Sequence, residues 1–185
     1  MFRDNQNSLR AIILTGLFAA IIYIGIWVLR IPIPAMVGRP FIHFGNTLTL
    51  VAILFLGYRN GILAGIIGLG GFDILNGYAA TSWLIMLEVV LVASVVTGVY
   101  KLMGYQDNRK NIIIIAIIAG ITKIFSSYGT SIVEALMVGT NIKTALVASF
   151  MSLPATVINS ISTAIFAPLL YFAIRKIFVQ STQRR

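Results

Sequence analysis

Apolar residues fall along this chain in long blocks, and polar residues are confined to the short stretches between them. Six blocks can be read, near 9–29, 43–57, 61–75, 82–103, 111–131 and 152–178. Blocks of this length and purity predict helices whose solvent is lipid. The first has 21 residues, which is the length of a membrane span rather than of a removable leader. The second and third are short and meet at GYRNG (57–61), where glycine and asparagine favour a tight turn. Between the fifth and sixth lies a longer, less regular, amphipathic piece, roughly 132–150. No internal repeat and no soluble region stands out. The expected fold is all-α: one polytopic integral membrane domain, residues 1–185, built as a six-transmembrane-helix bundle.

Composition supports lipid as the solvent. Of 185 residues, 58% are hydrophobic and 10% charged, more apolar surface than a soluble domain of this size can bury. There is no cysteine, so thiol catalysis, disulfides and cysteine-ligated metals are excluded. The net charge of +9 does not call for nucleic acid, because cations gather in cytoplasmic loops of membrane proteins. With the N-terminus inside, Arg3, Arg10, Arg59, Lys101, Arg109, Lys110, Arg175, Lys176, Arg184 and Arg185 face the cytoplasm. Only Arg30, Arg39 and Lys143 then face outward, and Lys123 lies within a span. This bias predicts two cytoplasmic termini and places RPFIHFGN (39–46) outside.

Three charges interrupt the spans: Asp73, Glu88 and Lys123. A charge at mid-membrane costs about 2.5–3.5 kcal/mol on insertion scales, so such residues face a cavity or a partner. At 1.5 Å per residue, Glu88 lies roughly 9 Å below the outer end of the fourth span. Lys123 and Asn159 lie roughly 12 Å and 10 Å below the outer ends of the fifth and sixth. A carboxylate, an ammonium and a carboxamide thus share one level, open to the side that carries His43. Lys123, Ser126, Ser127, Thr130 and Glu134 recur at three- and four-residue spacing as one polar stripe, and Thr156, Asn159, Ser160 and Thr163 form another. Trp83 and Tyr128 stand near the rim, as stacking surfaces or as interfacial anchors. Plainer readings stay open: a structural Glu88–Lys123 ion pair, Ser/Thr/Asn contacts between helices, and Asp73 capping a helix or meeting the outer loop. Gly61, Gly65 and Gly68 suit close backbone approach, inside the bundle or against another membrane protein.

The chain resembles the substrate-binding S component of energy-coupling factor (ECF) vitamin transporters, in particular a pyridoxine- or hydroxymethylpyrimidine-like group. The likeness is carried in order by HFGN (43–46), GYRNG (57–61), the glycine-rich third span and DILNGY (73–78). A lysine common in relatives near the start of the fourth span is replaced here by Ile85 and Met86. The A-x-x-x-A docking motif of the first helix becomes Gly16 to Ala20. The resemblance implies a ligand site formed by His43, Asn46, Trp83, Glu88, Lys123, Ser127, Tyr128 and Asn159. It implies a lid bearing Arg39 and Phe41, and docking through Gly16, Ala19 and Ala20. It further implies a prokaryotic plasma membrane, a transmembrane scaffold, two ATP-binding subunits, and no cofactor or bound metal. The chain has no Walker motif and is not expected to be an enzyme. With few cations at the site, polyanionic solutes are disfavoured, and a small hydroxylated heterocycle such as pyridoxine or hydroxymethylpyrimidine fits. Riboflavin would require a larger cavity. The competing readings are an oligomeric channel or small transporter, an intramembrane enzyme, and a structural membrane subunit.

Overall fold

The structure is a computed structural model that describes residues 8–33 and 41–183. Arg3, Arg39, Arg184 and Arg185 lie outside the described residues. Six α-helices follow one another: α1 (Ser8–Val28), α2 (Gly45–Gly65), α3 (Gly71–Leu75), α4 (Ser82–Leu102), α5 (Arg109–Met137) and α6 (Ile142–Gln183). A π-helical turn, Ile66–Gly70, joins α2 to α3. Two short strands interrupt the helical pattern, β1 (Ile31–Pro32) and β2 (Phe41–Ile42), paired antiparallel with Ile31 opposite Ile42.

Five helical stretches among the described residues are long and apolar enough to cross a membrane. The sequence suggests six, because its second and third blocks belong to one stretch, Gly45–Leu75, that is bent at a single residue. Gly57 has φ 81° and ψ −178°, a conformation that side-chain-bearing residues resist. The chain reverses there. A Cβ on Gly61 would lie 2.5 Å from the Ile53 Cα, and one on Gly65 would lie 2.8 Å from Thr49 Cγ2. In a straight helix residues 53 and 61 would be about 12 Å apart. The expected GYRNG turn is therefore one glycine, and the remaining four residues already belong to the returning helix.

The expected irregular piece at 132–150 is mostly helix. α5 runs on to Met137, and α6 begins at Ile142. Gly139, at φ 86°, marks the break, and Asn141 Oδ1 accepts from the Thr144 N–H to start α6. Pro154 and Pro168 sit inside α6, where each removes one donor from the intrahelical ladder without ending the helix.

Lipid tails are as apolar as leucine, so close packing rather than water exclusion must hold these helices together. Small residues serve that need. Gly68 meets the Ala19 carbonyl and Ile22 of α1, and Gly120 of α5 meets the Ser160 backbone of α6. Gly61, Gly65, Gly68 and Gly70 of the third block are thus spent on internal contacts. α2 packs against α1, α4 and α6, while α5 lies along α6. Ile22, Val51, Phe72, Val96 and Ile112 are fully enclosed. Leu9, Ile12, Leu17, Trp27, Phe125 and Phe150 point outward, as lipid-facing side chains do.

Candidate functional site

At the end of the bundle where α2 begins, α4, α5 and α6 part enough to leave a cavity of about 180 Å³. Its walls include His43 and Asn46 at the start of α2, Glu88 on α4, Lys123 and Ser127 on α5, and Asn159 on α6. Six of the eight expected ligand-site residues therefore meet in one space. Phe41, expected in the lid, also lines it.

The floor is an ion pair. Lys123 Nζ donates to Glu88 Oε2, and Thr130 Oγ1 donates to Glu88 Oε1. The Glu88 side chain is 4% exposed and that of Lys123 12%, so each charge depends on the other. The stripe on α5 supplies the wall above, with Ser127 Oγ sharing a hydrogen bond of 3.1 Å with Thr156 Oγ1 of α6. A structural ion pair and a cavity lining are here the same pair of residues.

His43 precedes α2. Its Nδ1 accepts from the Gly45 N–H at 3.0 Å, which leaves the ring proton on Nε2. Burial, with a smaller contribution from the Lys123 ammonium, pushes the imidazole down to about 3. The ring is therefore neutral. Asn159 uses its carboxamide on backbone: Oδ1 accepts the His43 N–H and Nδ2 donates to the Phe41 carbonyl, each at 3.0 Å. Among the described residues, the Asn46 carboxamide makes no hydrogen bond, and it faces the cavity wall uncommitted.

Trp83 and Tyr128 do not line the cavity. Each stands five residues from an inward-facing charge, Trp83 before Glu88 and Tyr128 after Lys123, and five residues turn a helix by about 140°. Trp83 is exposed, and the Tyr128 hydroxyl reaches the Leu146 carbonyl at 3.4 Å. Helical phase turns both away from the cavity. The aromatic wall comes instead from Phe41, Phe72 and Tyr78, with ring centroids 5.8 Å and 6.2 Å from Phe41. Arg30 lies over this group, 4.7 Å from the Phe41 centroid, and donates to the Tyr78 hydroxyl at 2.6 Å. A guanidinium over this cluster of tilted rings fastens the α1 exit to the α3–α4 turn.

Asp73 and Glu134 also line the cavity, as do Thr130, Ser131 and Thr156. Asp73 holds the α3 end through its backbone carbonyl, which accepts the Tyr78 N–H at 2.8 Å, while its side chain is left to the cavity. The three- and four-residue spacing on the fifth span already pointed to Glu134. Nothing local in the sequence singles out Phe72, Tyr78 or Arg30. On α1, Gly16 and Ala20 are exposed, and a Cβ at Gly16 would meet nothing. Ala19 is buried against Gly68, so it is removed from the expected docking surface.

The arrangement can hold a solute by directed hydrogen bonds. It offers three carboxylates, several hydroxyls, two carboxamides and a neutral imidazole, against one ammonium that is already paired. A search of curated proteins finds no match. A solved structure described as "Structure and mechanism of the S component of a bacterial ECF transporter" shares this fold at a TM-score of 0.69 and 20% identity. The alignment covers 93% of this chain and 99% of that one. The sequence model of the family described as "ECF-type riboflavin transporter, S component" matches residues 6–176, nearly the whole chain. The protein belongs to that family of ECF transporter S components.

Proposed function

We propose that this protein is the solute-binding subunit of an ECF-type importer and that its cavity takes up a small, flat, hydroxylated heterocycle from outside the cell. The observation that carries the reading is the convergence of His43, Asn46, Glu88, Lys123 and Ser127 on one cavity at the end of the bundle where α2 begins. In this reading the chain crosses a prokaryotic plasma membrane six times, with the bend at Gly57 joining two short crossings and both termini in the cytoplasm. The positive-inside bias supports that orientation. A transmembrane scaffold and two ATP-binding subunits supply the energy, and the exposed Gly16–Ala20 face of α1 is the surface that docks.

Charge narrows the ligand. Acidic groups outnumber the one ammonium, Lys123, which is already paired with Glu88, so the cavity has no free cation with which to hold a phosphate ester. Pyridoxine or hydroxymethylpyrimidine meets this with one ring and few hydroxyls, and Phe41, Phe72 and Tyr78 offer a wall for ring stacking. Riboflavin is the second reading, favoured by the family's description. It carries a polyhydroxyl chain that suits the Ser/Thr wall, and it needs more room. The test is to purify the protein from cells grown in rich medium, denature it, and identify what it releases by mass spectrometry. A stoichiometric pyridine or pyrimidine supports the first reading and a flavin the second. A protein that is empty and fails to bind any of the three would overturn both.

A further inference from the structure

Strand β2 has two edges, and only one of them meets another strand. Ile31 and Pro32 of β1 pair with Ile42 and Phe41. On the other side the Phe41 carbonyl and the His43 N–H meet the side chain of Asn159, 118 and 116 residues away in sequence. A carbonyl at one residue and an N–H two residues on are the pair that a single residue of a parallel neighbouring strand would satisfy. The Asn159 carboxamide therefore stands in for a peptide unit. It suits that task because one planar group carries both a donor and an acceptor.

Asn159 is itself held in place. It is 5% exposed. Gly120 lets α5 approach the next residue so closely that a Cβ there would lie 3.1 Å from the Ser160 carbonyl oxygen. One turn on, Thr163 Oγ1 donates to the Asn159 carbonyl at 2.8 Å and lies 3.0 Å from Thr47 Oγ1. α6 thus presents two successive polar contacts to the segment 41–47, Asn159 to β2 and Thr163 to α2. Phe41 and His43, the cavity residues on that segment, have no comparable backbone tie to α4 or α5 among the described residues.

We propose that Asn159 is a positioning residue: its carboxamide latches β2 to α6 and so holds Phe41 and His43 in the cavity wall, and loss of this latch loosens that wall and lets a bound solute leave faster. This rests on the reading of the cavity as a solute site. It gives Asn159 a different task from the direct ligand contact expected from its depth alone.

Hydrogen–deuterium exchange on the detergent-solubilised, ligand-free protein tests the latch without a ligand. Asn159→Leu removes both hydrogen bonds. Asn159→Asp keeps the acceptor for the His43 N–H and loses the donor to Phe41. Peptides covering 41–46 should exchange roughly tenfold faster in Asn159→Leu and by a smaller factor in Asn159→Asp, with α4 and α5 unchanged. Unchanged exchange at 41–46, or acceleration spread over all helices in both variants, would overturn the proposal. If Asn159→Leu does not fold, Asn159→Asp carries the same comparison.

Release rates of pyridoxine and riboflavin then separate a latch from a contact. A latch raises the release rate of whichever compound the wild type retains, and His43→Ala adds little to Asn159→Leu because both act through the same segment. A changed preference between the two compounds, or full additivity with His43→Ala, would make Asn159 a direct contact and sink the latch. If the wild type retains neither compound, the proposed function fails, while the exchange experiment still decides the latch.

Discussion

The two ends of this bundle use polar residues in opposite ways. At the cavity end, polar side chains from five helices converge on a space, and several of them, Asn46, Asp73 and Glu134 among them, point into it. At the other end, polar groups converge on one another. Asp107 Oδ2 accepts the Tyr171 hydroxyl at 3.0 Å and lies 3.1 Å from Arg175 Nε, fastening the α4–α5 turn to α6. Beside it Tyr171 stacks on Phe55 with centroids 4.8 Å apart, below the buried run Leu50–Phe55. One α-helix, α6, carries both patterns, Asn159 and Tyr171 being about 18 Å apart along it. Groups bonded to one another are structural cement, whereas a ring of groups around a space is a site.

The comparison is broken most severely at the ion pair, which belongs to both categories. Lys123→Met strands the Glu88 carboxylate and should cost about 3–5 kcal/mol, seen as a large fall in the thermal midpoint in detergent. The double variant Lys123→Met with Glu88→Leu should recover most of that stability and still bind no solute. If the double variant binds like wild type, the pair is cement and the site lies elsewhere.

Close packing around the Gly57 bend comes next. Gly61→Val places a Cβ 2.5 Å from the Ile53 backbone, and overpacking of this kind costs about 1–3 kcal/mol. The loss should appear as lower stability with ligand affinity preserved in the folded fraction, since Gly61 is remote from the cavity walls. An affinity loss matching that of the cavity variants would show that the two ends are not separable.

Tyr171→Phe removes one hydrogen bond from the opposite end and should cost about 1 kcal/mol with no change in affinity. Calorimetry and equilibrium binding on the same sample check both halves of that statement.

A further test concerns pH. The folded protein holds His43 neutral down to about 3, below the ordinary histidine value of 6.5. Between those values the unfolded chain binds more protons than the folded one, so stability falls as pH drops below 6.5 and is flat above it. His43→Gln, which has an oxygen to accept the Gly45 N–H, should flatten that slope without removing the fold. A slope unchanged by the substitution would show that His43 does not carry it.

Much of this could be read before any coordinates. Glu88, Lys123 and Asn159 were placed at one level by counting residues from the ends of apolar blocks, and they do meet. The α5 stripe was legible because residues three and four apart share a helix face whatever the fold. The Gly57 bend was half legible, since GYRNG signals a break and only packing decides that one glycine makes it. Trp83 and Tyr128 were misplaced because depth is one coordinate and helical phase is another, and both stand about 140° from the charges they were grouped with. Arg30, Phe72 and Tyr78 were invisible as a group because the α1 exit that carries Arg30 is brought to α3 and the α3–α4 turn only by the fold.

By itself, then, the sequence determined the apolar solvent, the long helical runs, which residues interrupt them with charge, and the family. All of these follow from hydrophobic runs, rise per residue and ordered local motifs. Tertiary structure decided which face of each helix points inward and what each polar group meets there. Ala19 turned out to face Gly68, and the Asn159 carboxamide to face a backbone strand 116 residues away. A side chain's chemistry is written in the chain, but its partner is whatever the packing of the other helices brings within 3 Å.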